Sequence, residues 1–450
     1  MRKVLKTCLT ALAIFGSTTY AFELVDTNPG SPEFKKRFYG SFGINSAIEP
    51  SLKQEDRPLY ESIEPHLESN PRKAIELARK GIDADSNAAF DFLVGSLYYT
   101  LDDYRNAATY LQSALKKFPD FRRAHRNLAL IYIQQDRYNE TIKHLLRVIQ
   151  LGGGDGQVYS MLAYAYLTLE KYHSALSAYQ LARMFLPESK DVRRGEAQCL
   201  LMTSQYEAAI KLFDELINES PETQEFWVFQ ANSFVAINKL DDAIANLELA
   251  HRIARPEAKT LTLLGDLYLA QDAHELGLAS YKAAIRQNPN VEPEQALKPL
   301  RRLMQLGVYD AAESYLNLMS NSLSQPLSPK QASEVAVFRA QLRIENGELD
   351  KGLAELEAIL QEDPLNSSAL LYIADVQLKQ EAYEEAEFYF ERAKSVPEAQ
   401  VEALIGLGRT AVAQAKFKDA LKYLNQSQRI KRRADVSQFI ESIEKVVAAE

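Results

Sequence analysis

Tyr206, Ala209, Ile210 and Phe213 stand at i, i+3, i+4 and i+7 in the stretch SQYEAAIKLF (204–213), the spacing of one apolar helical face. Leu216 and Ile217 extend that face, and Pro221 ends it because proline offers no backbone N–H to the helical ladder. The same ten-residue pattern starts at Asp102, Asp136, Glu170, Ser204, Asn238, Asp272, Gly307, Gly347, Glu381 and Ala415. The first five steps are all 34 residues, and the later ones are 35, 40, 34 and 34. One unit of that size buries too little apolar surface to fold alone. The period therefore predicts helix pairs that stack on copies of themselves.

A second helix precedes each of these. Small residues mark its middle at Gly95, Ala129, Ala163, Ala197, Ala231 and Gly265, again 34 apart. Three residues later come Tyr98, Tyr132, Tyr166, Leu200, Phe234 and Tyr268. Twelve residues after each small residue stand Ala107, Thr141, Ala175, Ala209, Ala243 and Gly277, where a short side chain lets two helices approach closely. The unit at 224–257 carries Trp227, Ala231, Phe234, Ala243, Leu247 and Ala250; the unit at 88–121 carries Gly95, Tyr98, Ala107, Leu111, Ala114 and Pro119. In this order and spacing the chain resembles the tetratricopeptide repeat (TPR) family. The resemblance implies an all-α, right-handed α-solenoid of about ten repeats with a C-terminal capping helix.

Departures from the pattern set the expected boundaries. An N-terminal array spans 54–291: a degenerate unit at 54–87, then 88–121, 122–155, 156–189, 190–223, 224–257 and 258–291. In 292–332, Pro299 and Leu300 occupy the positions of a large and a small residue, so the first helix of that unit is expected to start late or to bend. With the polar stretch SNSLSQPLSPK this segment reads as a joint. A second array follows at 333–434, and 435–450 reads as the cap, with Val436, Phe439, Ile440, Ile443 and Val446 on one face.

The first 21 residues follow a different logic. Arg2, Lys3 and Lys6 precede a short apolar run, and Thr19 and Ala21 sit where a signal peptidase reads small residues. This predicts a cleaved secretory leader, and hence a periplasmic or, alternatively, secreted protein. Cys8 lies too early in the apolar run for lipidation. Beyond the leader the chain has 49 basic and 61 acidic residues, a net of −12. Without a strong basic stripe, nucleic acid is not an expected ligand. The apolar run is also too short for a membrane span. Cys199 is the one cysteine left, so packing rather than a disulfide must hold the fold.

Candidate chemistry is sparse. The six histidines are scattered, and no HExxH, CxxC or other metal-ligand spacing occurs. LGGGDG (151–156) lacks the Lys-Ser/Thr of a phosphate loop and reads as an inter-repeat turn. Cys199 reads as a packed thiol, the acids of EAYEEAEFYF as solvated charges, and the basic run QRIKRRADV as compensation for a helix C-terminus. No catalytic residue, metal or cofactor is expected.

The TPR resemblance places function on the first helix of each pair, at its second, fifth, ninth and twelfth positions. Carried over, these are Arg123, Arg126, Leu130 and Ile133; Gln157, Ser160, Tyr164 and Leu167; Asp191, Arg194, Gln198 and Leu201; Glu225, Val228, Asn232 and Val235. Arg123, Arg126, Tyr164, Arg194, Gln198 and Asn232 are the candidate partner-binding residues, suited to an extended acidic or carboxylate-bearing peptide because a guanidinium grips carboxylates in forked pairs. Residues 88–223 carry a net charge of −1 and residues 224–450 a net of −8, which favours the first half for such a partner. Residues 22–53 stand outside the repeat. Their stretch FKKRFYGSFG (34–43) sets four aromatics among three basic residues and reads as an arm that docks on the array or on a partner. The expected function is a non-enzymatic protein–protein scaffold of the bacterial envelope, as in accessories of TonB–ExbB-type transport or outer-membrane export. A chaperone-like holder of exported clients is the alternative, and an enzyme with an unrecognised site stands behind it.

Overall fold

The structure, a computed structural model, describes residues 47–449. The expected leader (1–21) and most of the arm (22–46) lie outside the described residues. Among those described there are 23 α-helices and no strand. They form two compact units that divide between Arg255 and Pro256.

The first unit holds α1 (Arg57–Ile63), α2 (Pro71–Arg79), α3 (Ala88–Thr100), α4 (Tyr104–Lys117), α5 (Arg122–Gln134), α6 (Tyr138–Gln150), α7 (Gly156–Thr168), α8 (Tyr172–Phe185), α9 (Lys190–Met202), α10 (Tyr206–Glu219), α11 (Gln224–Ala236) and α12 (Leu240–Ile253). First helices begin at 88, 122, 156, 190 and 224, the register read from the sequence. The degenerate unit is a short α1 prolonged by a 3₁₀ turn (Glu64–His66) and paired with α2.

The second unit holds α13 (Ala258–Ala270), α14 (His274–Gln287), α15 (Pro293–Leu306), α16 (Tyr309–Ser322), α17 (Pro329–Glu345), α18 (Leu349–Glu362), α19 (Ser367–Lys379), α20 (Tyr383–Lys394), α21 (Gln400–Ala413), α22 (Phe417–Ile430) and α23 (Ala434–Ala449).

The turn inside each pair has one construction. The first residue of all ten sequence copies has positive φ, from 56° at Asp136 to 88° at Gly347. Around Asp102, the Asp103 N–H reaches the Tyr98 carbonyl at 3.0 Å and the Asp102 N–H reaches Tyr99 at 3.1 Å. This is a Schellman closure, which satisfies carbonyls the helix end leaves open. Only Gly307 and Gly347 fill the position with glycine; the rest are Asp, Glu, Ser, Asn or Ala. Asn87, Asp155 and Ser189 start α3, α7 and α9 by accepting from the backbone N–H of Ala89, Val158 and Val192.

Close approach within a pair rests on the small residues. A Cβ on Gly95 would sit 2.8 Å from Leu111 Cγ and 3.1 Å from the Ala107 carbonyl. Ala129, Ala163, Ala197 and Ala231 are fully buried at the equivalent positions. Large residues then fill the space between pairs: Phe213 and Leu216 are fully buried.

The divergent repeat behaves differently from expectation. Helix α15 does not start late: Pro293 opens it, and it runs on to Leu306 with Pro299 buried inside it. The irregularity shows in packing instead. In regular repeats a second helix packs on the next first helix; here α14 approaches α16 more closely than α15. One apolar core runs from Leu269 through Leu300 and Tyr315 to Leu342, across residues 292–332, and the two compact units divide before Pro256. At the C-terminus α23 caps α22 with Val436, Ile440 and Ile443 buried and Phe439 and Val447 half-buried. Val446, expected on that face, is 44% exposed, and the next residue, Val447, packs in its place.

Candidate partner-binding face

Within the first unit, the first helices of successive repeats touch: α3 with α5, α7 with α9, and α9 with α11. Second helices show no comparable mutual contact there. The first helices therefore lie on the crowded side of the stack, where a partner would meet several repeats at once. Their second, fifth, ninth and twelfth positions share one face, as helical geometry requires. All sixteen residues at these positions in α5, α7, α9 and α11 are exposed or half-buried.

The face has two edges. At the N-terminal ends the second positions are Arg123, Gln157, Asp191 and Glu225, all exposed. At the C-terminal ends the twelfth positions are Ile133, Leu167, Leu201 and Val235, all aliphatic and half-buried. Tyr164 stands between them, 45% exposed, with its ring edge-on to Tyr138 at 6.0 Å. Gln198 and Asn232 are half-buried in the same row.

Each candidate arginine already has a carboxylate. Arg123 Nε donates to Glu49 Oε2 at 2.7 Å, and its guanidinium lies 5.1 Å from the Phe92 ring centre. Arg126 donates to Asp155 Oδ2 at 2.8 Å and Gln157 Oε1 at 2.6 Å. Because Asp155 also caps α7, Arg126 ties one repeat to the start of the next. Arg194 lies 3.4 Å from Asp191 and 3.9 Å from Glu225. The polar edge is thus a row of ion pairs, and an acidic ligand must compete with it. The twelfth-position row is the feature that weighing polar residues alone passes over. Its signal is plain in the sequence, four aliphatic residues 34 apart.

Other candidate motifs fall where the repeat places them. LGGGDG is a turn in which Gly152 has a φ of 76° and Asp155 begins the next helix. Cys199 is fully buried, and burial pushes its thiol up to about 12. Glu384 and Glu385 are exposed. In the basic run, Arg433 bridges Glu402 and Asp435. Two histidines that look scattered in sequence meet in space: His125 Nδ1 lies 2.7 Å from His144 Nδ1. Among the described residues no group of three or more His, Cys, Asp or Glu stands close enough to hold a metal ion. No described helix is long and apolar enough to cross a membrane.

The tetratricopeptide repeat family model matches residues 92–155, 160–223, 230–292 and 339–400, more than half of the chain. The chain belongs to the TPR family. A curated relative, DnaJ homolog subfamily C member 3 of Gallus gallus, is 20% identical over 83% of this chain and 79% of its own length. The TPR repeat-containing protein YpiA of Bacillus subtilis is 25% identical over 40% of this chain, which spans 42% of that protein. Among solved structures, YrrB, described as a TPR protein with an unusual peptide-binding site, aligns with 18% identity and a TM-score of 0.39 over 43% of this chain and 96% of its own. A TPR protein from Parabacteroides merdae aligns with 20% identity and a TM-score of 0.35 over 52% of this chain and 93% of its own.

Proposed function

We propose that this TPR protein is an exported, non-enzymatic scaffold that seats a protein partner on the first-helix face of its first unit. The observation that carries this reading is the pairing of two edges on one face: a polar row at Arg123, Gln157, Asp191 and Glu225, three of them charged, and an aliphatic row at Ile133, Leu167, Leu201 and Val235. Aliphatic side chains half-exposed at a fixed spacing favour burial against a partner, while the paired charges orient it without demanding a desolvated lone ion. The composition of residues 1–21 supports export to a periplasm, with secretion as the alternative destination. A place beside TonB–ExbB-type transport or outer-membrane export rests on family analogy alone.

The test is crosslinking and purification from intact native cells. The scaffold reading expects one or two stoichiometric partners with the wild-type chain and their loss with Tyr164→Ala combined with Arg194→Glu, at unchanged thermal stability. A broad population of unfolded clients supports the chaperone-like reading instead. Unchanged capture by the double variant removes this face from the function.

A further inference from the structure

We propose that the second helix of the last repeat, α22, is a docking surface for an extended acidic segment of a partner protein. It lies in the second unit and does not depend on the role of the first-helix face in the first.

Helix α22 departs from its own register. In six consecutive pairs, from α10 to α20, the second residue of the second helix is an acid: Glu207, Asp241, Glu275, Asp310, Asp350 and Glu384. An acid there complements the positive end of the helix dipole. The next copy has Lys418. Lys422, Asn425 and Arg429 follow it at i+4, i+7 and i+11, so the four share one line down the helix, and all are exposed. Compensation of the helix C-terminus accounts for Arg429. It does not account for Lys422 in the middle, and Lys418 stands at the end where the dipole disfavours a base.

The charges of this row are free. Among the described residues Lys418, Lys422, Arg429, Lys431 and Arg432 have no ion pair, whereas Arg433 is held by Glu402 and Asp435. That sets them apart from Arg123, Arg126 and Arg194, each of which already has a carboxylate. Residues 416–433 hold seven bases and one acid, Asp419. The row ends at an open cleft of about 430 Å³ lined by Asn425, Gln428, Arg429, Ile430 and Arg432. Gln428 is spent on the Arg433 backbone, donating to its carbonyl at 2.6 Å and accepting from its N–H at 2.8 Å. Two guanidinium groups and the Asn425 amide are left for a carboxylate, with Ile430, 50% exposed, beside them.

Flanks and spacing select the ligand. On one side, Tyr423 Oη lies 3.5 Å from Glu391 of α20, where Glu384 is also exposed. On the other, Gln428 Nε2 lies 3.2 Å from Ser437 Oγ of α23, and the exposed Glu441 and Glu444 follow Ser437 at i+4 and i+7. A lipid surface or a nucleic-acid duplex is broader than one helix and would meet these acids too, whereas a single extended chain meets the bases alone. Lys418 and Lys422 stand about 6 Å apart along the helix. Same-side residues of an extended peptide stand about 6.6–6.8 Å apart, so acids at alternate positions match the row.

Fluorescence anisotropy with the full-length chain and a labelled peptide of alternating glutamate and serine tests this. Vesicles of phosphatidylglycerol and phosphatidylcholine are assayed in parallel. The expected result is peptide binding that weakens about tenfold in Lys418→Glu/Lys422→Glu/Arg429→Glu, the sum of three exposed charge contacts, and by less in the corresponding triple Gln variant. The same charge change placed elsewhere, Lys143→Glu/Lys211→Glu/Lys259→Glu, should leave binding within about twofold of wild type. Lys418→Glu alone restores the acid of the other copies, so it should raise the unfolding temperature while weakening the peptide. A purely structural lysine would not give that split. Equal binding by wild type and both α22 triple variants overturns the inference, and so does an equal loss in the displaced triple variant. Vesicle binding that depends on the row, with no peptide binding, overturns it in favour of a lipid surface.

Discussion

The ring of Tyr315 meets that of Tyr281 at 6.0 Å, edge to face, and the two side chains are almost wholly buried. They sit on α16 and α14, the two second helices that come together at the divergent repeat. Tyr315 Oη donates to the Ala296 carbonyl of α15 at 3.0 Å, and Tyr281 Oη donates to Asp266 on α13. The pair thus ties four helices together in the repeat where Leu300 stands in place of the usual small residue. Tyr315→Phe leaves a buried carbonyl without its donor and should cost about 1–2 kcal/mol. Tyr315→Ala adds a cavity and should cost about 3–5 kcal/mol. Urea unfolding followed by circular dichroism reads both. Equal, small losses would mean that the pair does not hold the joint.

The left-handed turn position offers a paired experiment. Ala415 has a φ of 57°, a conformation in which a Cβ crowds the following carbonyl. Ala415→Gly should stabilise the second unit by about 1 kcal/mol. Gly347 has a φ of 88° with open space where a Cβ would stand. Gly347→Ala therefore isolates the backbone cost and should lose about 1–2 kcal/mol. Shifts of the urea midpoint in the same direction for both substitutions would rule out this account.

The histidine pair makes the fold sensitive to mild acid. His125 Nε2 lies 2.9 Å from the Pro119 carbonyl, so that nitrogen carries the proton, and His144 must supply the one shared between the two Nδ1 atoms. Burial, with the neighbouring imidazole second, holds His144 down to about 4, and burial lowers His125 as well. Both folded values lie below the unfolded one, so the unfolded chain binds more protons as pH falls. Stability is then fully present above about 6.5 and is lost progressively towards 4. The unfolding temperature should fall between pH 7 and pH 5. His144→Gln should flatten that slope, and an unchanged slope would assign the acid sensitivity elsewhere.

A buried ion pair fixes the start of the array. Lys117 Nζ lies 2.5 Å from Asp91 Oδ2, and the Asp91 carboxylate is fully buried. Lys117→Met strands that charge and should cost about 3–5 kcal/mol, whereas Lys117→Met with Asp91→Leu should recover most of the loss. Calorimetry of the two variants separates them. A double variant no more stable than the single one would show that the pair contributes more than mutual neutralisation.

The repeat register was open to sequence reading because packing imposes it on every copy. Small residues at Ala129, Ala163 and Ala197 are where helices cross, and no other residue class fits. The left-handed turn was less visible. Asp102, Glu170 or Ser204 do not announce positive φ as Gly307 does, yet each opens a sequence copy. At the divergent repeat, Pro299 marked the right place but not the change in packing found there. A proline inside a helix is a local signal, whereas the choice of α16 over α15 as the neighbour of α14 is made by tyrosines on other helices. On the candidate face, residue types and positions were legible, but the pairing of its charges was not. Arg126 pairs with Asp155, 29 residues on. A fifth-position arginine stands beside the N-cap of the next repeat, and that relation emerges only when the 34-residue register is laid out as neighbours in space.

Cys199 turns the middle of the first unit into its own reporter. It is the free cysteine among the described residues, fully buried on α9, with its thiolate strongly disfavoured. A thiol reagent cannot reach it while α9 is packed between α8 and α10. In a stack where each repeat leans chiefly on its neighbours, that helix can open without the whole chain unfolding. The labelling rate of one native side chain therefore clocks the opening of a single repeat, and shows whether the array comes apart from its ends or from its centre.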